Sequence, residues 1–141
     1  MARDDKYYSH VKEALFKDGW TITHDPLRLK VDATEFKIDL GAERVVLNFK
    51  NKVEEIAVEI KSFPSKSFMN DWHHARGQYA DYRDVLASNE KHAERKLYIA
   101  VPEKIYEKNF NAPFIIEARV KENMGILVFD VTLRRVVKWI K

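Results

Sequence analysis

The sequence predicts an α/β (α+β) sandwich, a mixed β-sheet flanked by helices. Three observations carry that expectation. Residues 35–40 and 55–61 alternate apolar and polar side chains with a period of two, as half-buried strands do. Residues 68–86 place Phe68, Trp72, Ala75, Tyr79, Tyr82 and Leu86 at steps of three and four, an apolar helical stripe. Along the chain the predicted order is helix, strands, long helix, strand, helix, strands.

The spacing of Val11, Ala14 and Leu15 predicts a helix over 4–18, with Asp4 and Asp5 suited to its first turn and Gly19 as its stop. A short strand at 20–23 and a turn at His24-Asp25-Pro26 follow. In 35–40, Phe36, Ile38 and Leu40 share one side and Glu35, Lys37 and Asp39 the other, with Gly41 placed to allow a bend. Strand character resumes at 44–49, Lys50-Asn51-Lys52 reads as a hairpin tip, and the strand over 55–61 is closed by Pro64. Ser67 is a good N-cap for the long helix, with Asp71 in its first turn. A strand at 96–101 ends at Pro102, helices are expected over 103–109 and 113–122, and strands over 125–131 and 136–140 close the chain.

At 141 residues the chain is expected to form one domain over 1–141, long enough to bury a core. It has no cysteine, which excludes disulfides, thiolate metal sites and a cysteine nucleophile. The N-terminal residues lack the apolar segment of a signal peptide, and no apolar run approaches the ~20 residues of a membrane-spanning helix. A cytoplasmic protein without a membrane partner is expected. The net charge of +3 neither identifies nor opposes a nucleic-acid partner. Two basic groups, Lys91/Arg95/Lys96 and Arg134/Arg135/Lys138/Lys141, read as solvated surface. Several site types are missing: four glycines form no phosphate-cradling loop, and there is no Gly-x-Ser-x-Gly or His-Glu-x-x-His. His73 and His74 are adjacent on a predicted helix, ~100° apart, and read as a helix-surface pair.

Candidate chemistry rests on Asp39 and Val58-Glu59-Ile60-Lys61. Glu59 and Lys61 leave one face of a strand while Val58 and Ile60 enter a core. A neighbouring strand bringing Asp39 beside Glu59 would gather two carboxylates and an ammonium, the set a Mg²⁺-dependent phosphodiesterase needs. Acidic-x-Lys triplets also occur at Asp4/Lys6, Glu35/Lys37 and Glu94/Lys96, but only Glu59/Lys61 has the strand, the upstream acid and the following helix.

Asp39, Glu59-Ile60-Lys61 and a following helix bearing Gln78 and Tyr82 resemble the core of the PD-(D/E)XK, restriction-endonuclease-like superfamily, and Gln-x-x-x-Tyr resembles its RecB-like branch. Ile38 stands where that pattern has proline. More specifically, residues 17–26, Asp39-Leu40-Gly41-Ala42-Glu43, Val58-Glu59-Ile60-Lys61-Ser62-Phe63, Gly77-Gln78-Tyr79 and Val137-Lys138-Trp139-Ile140 resemble the XisH family of cyanobacteria, the fdxN element excision controlling factors.

The resemblance implies a restriction-endonuclease-like fold and a role in controlling programmed DNA excision beside a companion factor, XisI. DNA is the implied partner and a homodimer the analogous assembly. If catalysis is retained, Asp39, Glu59, Lys61 and Gln78 are the implied catalytic residues. Mg²⁺ or Mn²⁺ would be held by Asp39, Glu59 and the Ile60 carbonyl, with Glu43 a weaker ligand and Glu13 weaker still. The alternative is a non-catalytic accessory protein that binds DNA or the partner factor on the same fold.

Overall fold

The first helix, α1 (Tyr8–Lys17), buries Val11, Ala14 and Leu15 at helical spacing. It ends before Gly19, whose φ of +89° suits a residue without a Cβ. The computed structural model describes residues 6–46 and 52–141, so the predicted N-terminal acids Asp4 and Asp5 lie outside the described residues. The chain continues through β1 (Thr21–His24), β2 (Leu27–Val31), β3 (Thr34–Ile38), β4 (Leu40–Val46), β5 (Lys52–Ile60), α2 (Phe68–Ala87), β6 (Lys96–Pro102), α3 (Glu103–Asn109), α4 (Pro113–Lys121), β7 (Gly125–Asp130) and β8 (Arg135–Ile140).

The main sheet has six strands in the order β1-β4-β5-β6-β7-β8. Its centre, β5-β6-β7, is parallel, and antiparallel pairs (β1 with β4, β4 with β5, β7 with β8) complete it. The parallel strands read as nearly continuous apolar runs because both faces are covered. On one face Ala57, Leu97, Ile99, Ile126 and Val128 pack with Trp72, Ala75, Tyr79 and Leu86 of α2, Phe110 and Ile115. On the other, Val58, Ile60, Ala100 and Leu127 pack with Val11 and Leu15 of α1 and with Trp20. No helix among the described residues is long and apolar enough to cross a membrane.

The region before the candidate acid differs from expectation. The predicted strand over 35–40 is two strands: β3 ends at Ile38, Asp39 occupies a bend, and β4 begins at Leu40. Ile38 and Leu40, expected on one side, enter opposite cores because the chain changes sheet at that bend. β3 pairs with the unpredicted β2 in a separate two-stranded ribbon, whose turn is made by Asp32 at φ +54° and Ala33. The irregularity anticipated near Gly41 lies across from it, in β1, where the register slips between Ile22 and His24. Residues 47–51, including most of the expected hairpin tip, lie outside the described residues; Lys52 already belongs to β5.

The crossover from β5 to the parallel β6 runs through α2, which Ser67 caps by accepting from Asn70 N–H at 3.2 Å. The first turn of α2 therefore stands over the C-terminal end of β5. That placement builds the site.

Candidate active site

Asp39 reaches Glu59 because β4 and β5 are in antiparallel register, with Leu40 opposite Val58. One more step along each strand sets the two acids side by side. They are latched reciprocally: Asp39 N–H donates to Glu59 Oε1 at 3.0 Å, and Ile60 N–H donates to Asp39 Oδ2 at 2.9 Å. Both are buried, with 5% and 8% of their surface exposed. Lys61 continues the parallel ladder by donating its N–H to Ala100 O at 2.9 Å, and its Nζ lies 3.8 Å from Glu59 Oε2. Val58 and Ile60 point into the α1-side core, so Glu59 and Lys61 share the face that α2 covers. The structure thus brings Asp39, Glu59 and Lys61 together.

From α2, Gln78 Nε2 donates to Tyr82 Oη at 3.0 Å. Burial, and after it the nearby charges of Glu59 and Asp39, push the Tyr82 phenol up to about 12. Tyr82 is therefore within electrostatic reach of the two carboxylates. Tyr82 is also held edge-on by Phe36 of β3, ring centres 6.3 Å apart. Gln78 Oε1 is buried without a hydrogen-bond partner among the described residues. A buried acceptor left unmatched costs ~1–3 kcal/mol, so a donor arriving with water or substrate would be stabilised there.

Beyond Lys61 a hollow of about 270 Å³ opens, lined by Ile60, Lys61, Phe63, Pro64, Asp71 and His74. Neither carboxylate lines this hollow. Among the described residues no group of three or more His, Cys, Asp or Glu could hold a metal ion. Two carboxylates and the Ile60 carbonyl between Glu59 and Lys61 are nevertheless oxygen donors of the kind a hard cation that retains waters takes.

Glu43 does not join them. It pairs across the ladder with Glu55, four residues along β4 from Asp39, or ~13 Å at ~3.3 Å per residue. Its neighbourhood is instead a second polar cluster around Arg95, where its charge acts on both His24 and Arg95. Arg95, expected at the surface, is 6% exposed. Its guanidinium donates to Ala42 O at 3.2 Å and Ile56 O at 2.8 Å, and to His92 Nδ1 at 3.0 Å, with His24 Nδ1 at 3.4 Å. Glu13 is also elsewhere, on α1 in ion pairs with Lys17 and Arg134. His73 and His74 are both exposed, as expected of a helix-surface pair, but His74 also lines the hollow beside Lys61. The signal for it was available: Asp71, His74, Gln78 and Tyr82 follow at steps of three and four.

Two crystal structures are similar over nearly the whole chain. An XisH family protein from Nostoc punctiforme PCC 73102 is 37% identical, with a TM-score of 0.85, and the match covers 97% of this chain and 100% of that one. An fdxN element excision controlling factor protein from Anabaena variabilis is also 37% identical, with a TM-score of 0.83, over 96% of this chain and 98% of that one. No curated protein matches. The family model described as XisH protein matches residues 1–137. The chain belongs to the XisH family.

Proposed function

We propose that this protein is an excision controlling factor that acts on DNA as a Mg²⁺- or Mn²⁺-dependent phosphodiesterase of PD-(D/E)XK type. The excision role is supported by family membership and by the similar Anabaena variabilis protein, named an fdxN element excision controlling factor. The hydrolytic role is supported by one observation above the others, the latched pair Asp39/Glu59 with Lys61 Nζ 3.8 Å from Glu59.

Asp39, Glu59 and the Ile60 carbonyl would hold the cation. When bound, it would supply a water of lowered pKa and neutralise charge on the phosphate. The backbone latch fixes both carboxylates before any ligand arrives, which limits the reorganisation left to binding. Lys61 would meet a non-bridging phosphate oxygen with its ammonium. Gln78 Oε1 is an acceptor ready to orient the attacking water.

Nicking of supercoiled plasmid with Mg²⁺ or Mn²⁺ tests the reading. Wild-type protein is expected to nick, and Asp39→Asn and Lys61→Ala to lose ~100-fold or more of the rate. Nicking that persists undiminished in Asp39→Asn would end it. The burial of both acids and their use as backbone acceptors favour a second reading, an accessory protein that binds DNA or an XisI-like partner without cleavage. In that case the wild type nicks nothing at any metal concentration, and Asp39→Asn keeps partner binding.

A further inference from the structure

Hydrolysis of a phosphodiester leaves an alkoxide that must gain a proton, and the side chains already placed in this site supply none readily. The Tyr82 phenol holds its proton too tightly, Gln78 has no acidic proton, and Lys61 is positioned against the Glu59 carboxylate. Asp71, the acidic residue at the hollow, is committed to Ser65, whose N–H it accepts at 2.8 Å.

His74 has the remaining requirements. It stands one helical turn before Gln78 on the same row of α2, at the solvent end of the site. It shares the 270 Å³ hollow with Lys61, the residue that marks where a phosphate would sit. It is exposed and makes no hydrogen bond or ion pair among the described residues, so its imidazole is uncommitted. The facing wall is rigid. Phe63 is held at φ +52° and stacks on Phe68 with ring centres 5.2 Å apart, while Asp71 pins Ser65.

We propose that His74 is the general acid of this site, and that the hollow between it and Lys61 receives the leaving nucleoside of the cleaved strand. The inference rests on the phosphodiesterase reading above. In the step, a water oxygen forms a bond to phosphorus and the P–O bond to the leaving nucleoside breaks. The electron pair of that bond stays on the leaving oxygen, which takes the proton of the His74 imidazolium. The attacking water releases its proton to solvent, and solvent reprotonates His74, so a diester and water become a monoester and an alcohol.

The test compares an ordinary oligonucleotide with two others, each carrying one bridging sulfur, at the 3′ or the 5′ position of the scissile linkage. A thiolate leaves without needing a proton. His74→Ala and His74→Gln are expected to slow the all-oxygen substrate ~100-fold or more. One of the two sulfur substrates should be cleaved within ~3-fold of the wild-type rate, and should also reveal which bond breaks. An equal loss on all three substrates would make His74 a binding or structural residue. An unchanged all-oxygen rate, or a His74→Gln variant as active as wild type, would overturn the proposal too. Asp39→Asn should abolish cleavage of all three; a wild type that cleaves none removes the hydrolytic reading itself, and this inference with it.

Discussion

Asp39 combines a ligand's chemistry with a structural duty, and substitutions separate the two. Its carboxylate accepts Ile60 N–H in a buried setting, so Asp39→Ala leaves that donor unmatched and should cost ~1–3 kcal/mol in urea unfolding. Asp39→Asn keeps an acceptor of the same shape and should cost less, while still losing the negative charge a cation needs. If both variants unfold at the same urea concentration as wild type, the latch contributes nothing. Glu59 and Lys61 were legible because a period-two strand fixes which face each takes. Spacing put Gln78 and Tyr82 on one helical face, the family pattern alone singled them out for the site, and nothing marked Arg95. In the sequence it is one more basic residue in a polar stretch, and its burial arises because β4 and β5 present two carbonyls to it.

That cluster is also where elements respond to pH. Arg95 only donates, so His24 and His92 must offer Nδ1 as an acceptor, a role that protonation would abolish. Burial first, and then the Arg95 charge, lowers both histidines from their ordinary value of 6.5, against opposing pulls from Glu55 on both and Glu43 on His24. Their neutral form contributes stability that is whole above 6.5 and is lost as pH falls through the depressed folded values. Melting temperature should therefore drop between pH 7.5 and 5, and the double substitution His24→Gln/His92→Gln should flatten that drop. His10, lowered by burial and Arg134, acts in the same window, so the informative quantity is wild type minus variant. An identical pH slope in both proteins would show that the cluster does not titrate with folding.

Packing between elements gives a second check. A Cβ on Gly125 would lie 2.5 Å from Leu97 O, where β6 and β7 meet under Tyr79. Gly125→Ala should cost upwards of ~1 kcal/mol, read by chemical denaturation, because backbone must move to admit it. Helices and central strands were readable from periodicity and caps, and α3 (Glu103–Asn109) and α4 (Pro113–Lys121) fall close to expectation. The β2–β3 ribbon was not. Its turn lacks the Asn-Gly or Asp-Gly pair that usually marks a tight hairpin, although Leu27-Arg28-Leu29-Lys30 alternates as a half-buried strand does.

At the scale of the whole molecule, the proposed cation site would link folding to ligand binding through the two acids. A divalent ion held by the folded form alone should raise its stability by ~2.7 kcal/mol at a hundred times its dissociation constant. Thermal unfolding with and without Mn²⁺ reads this directly. The gain should vanish in Asp39→Asn and survive in Glu43→Gln, whose carboxylate belongs to the Arg95 cluster. A gain that survives in Asp39→Asn would put the ion elsewhere.

The position of Asp39 at the seam between ribbon and main sheet extends beyond chemistry. The ribbon joins β4 through that one residue and carries an outward-facing pair, Arg28 and Glu35, 2.8 Å apart. Leu27, Leu29 and Ile38 anchor the ribbon in the core and Phe36 packs against Tyr82, so its strands are fixed beside the site while its turn at Asp32 and Ala33 faces solvent. A fluorophore attached at that turn would sit on a fixed mount and leave the pocket itself untouched.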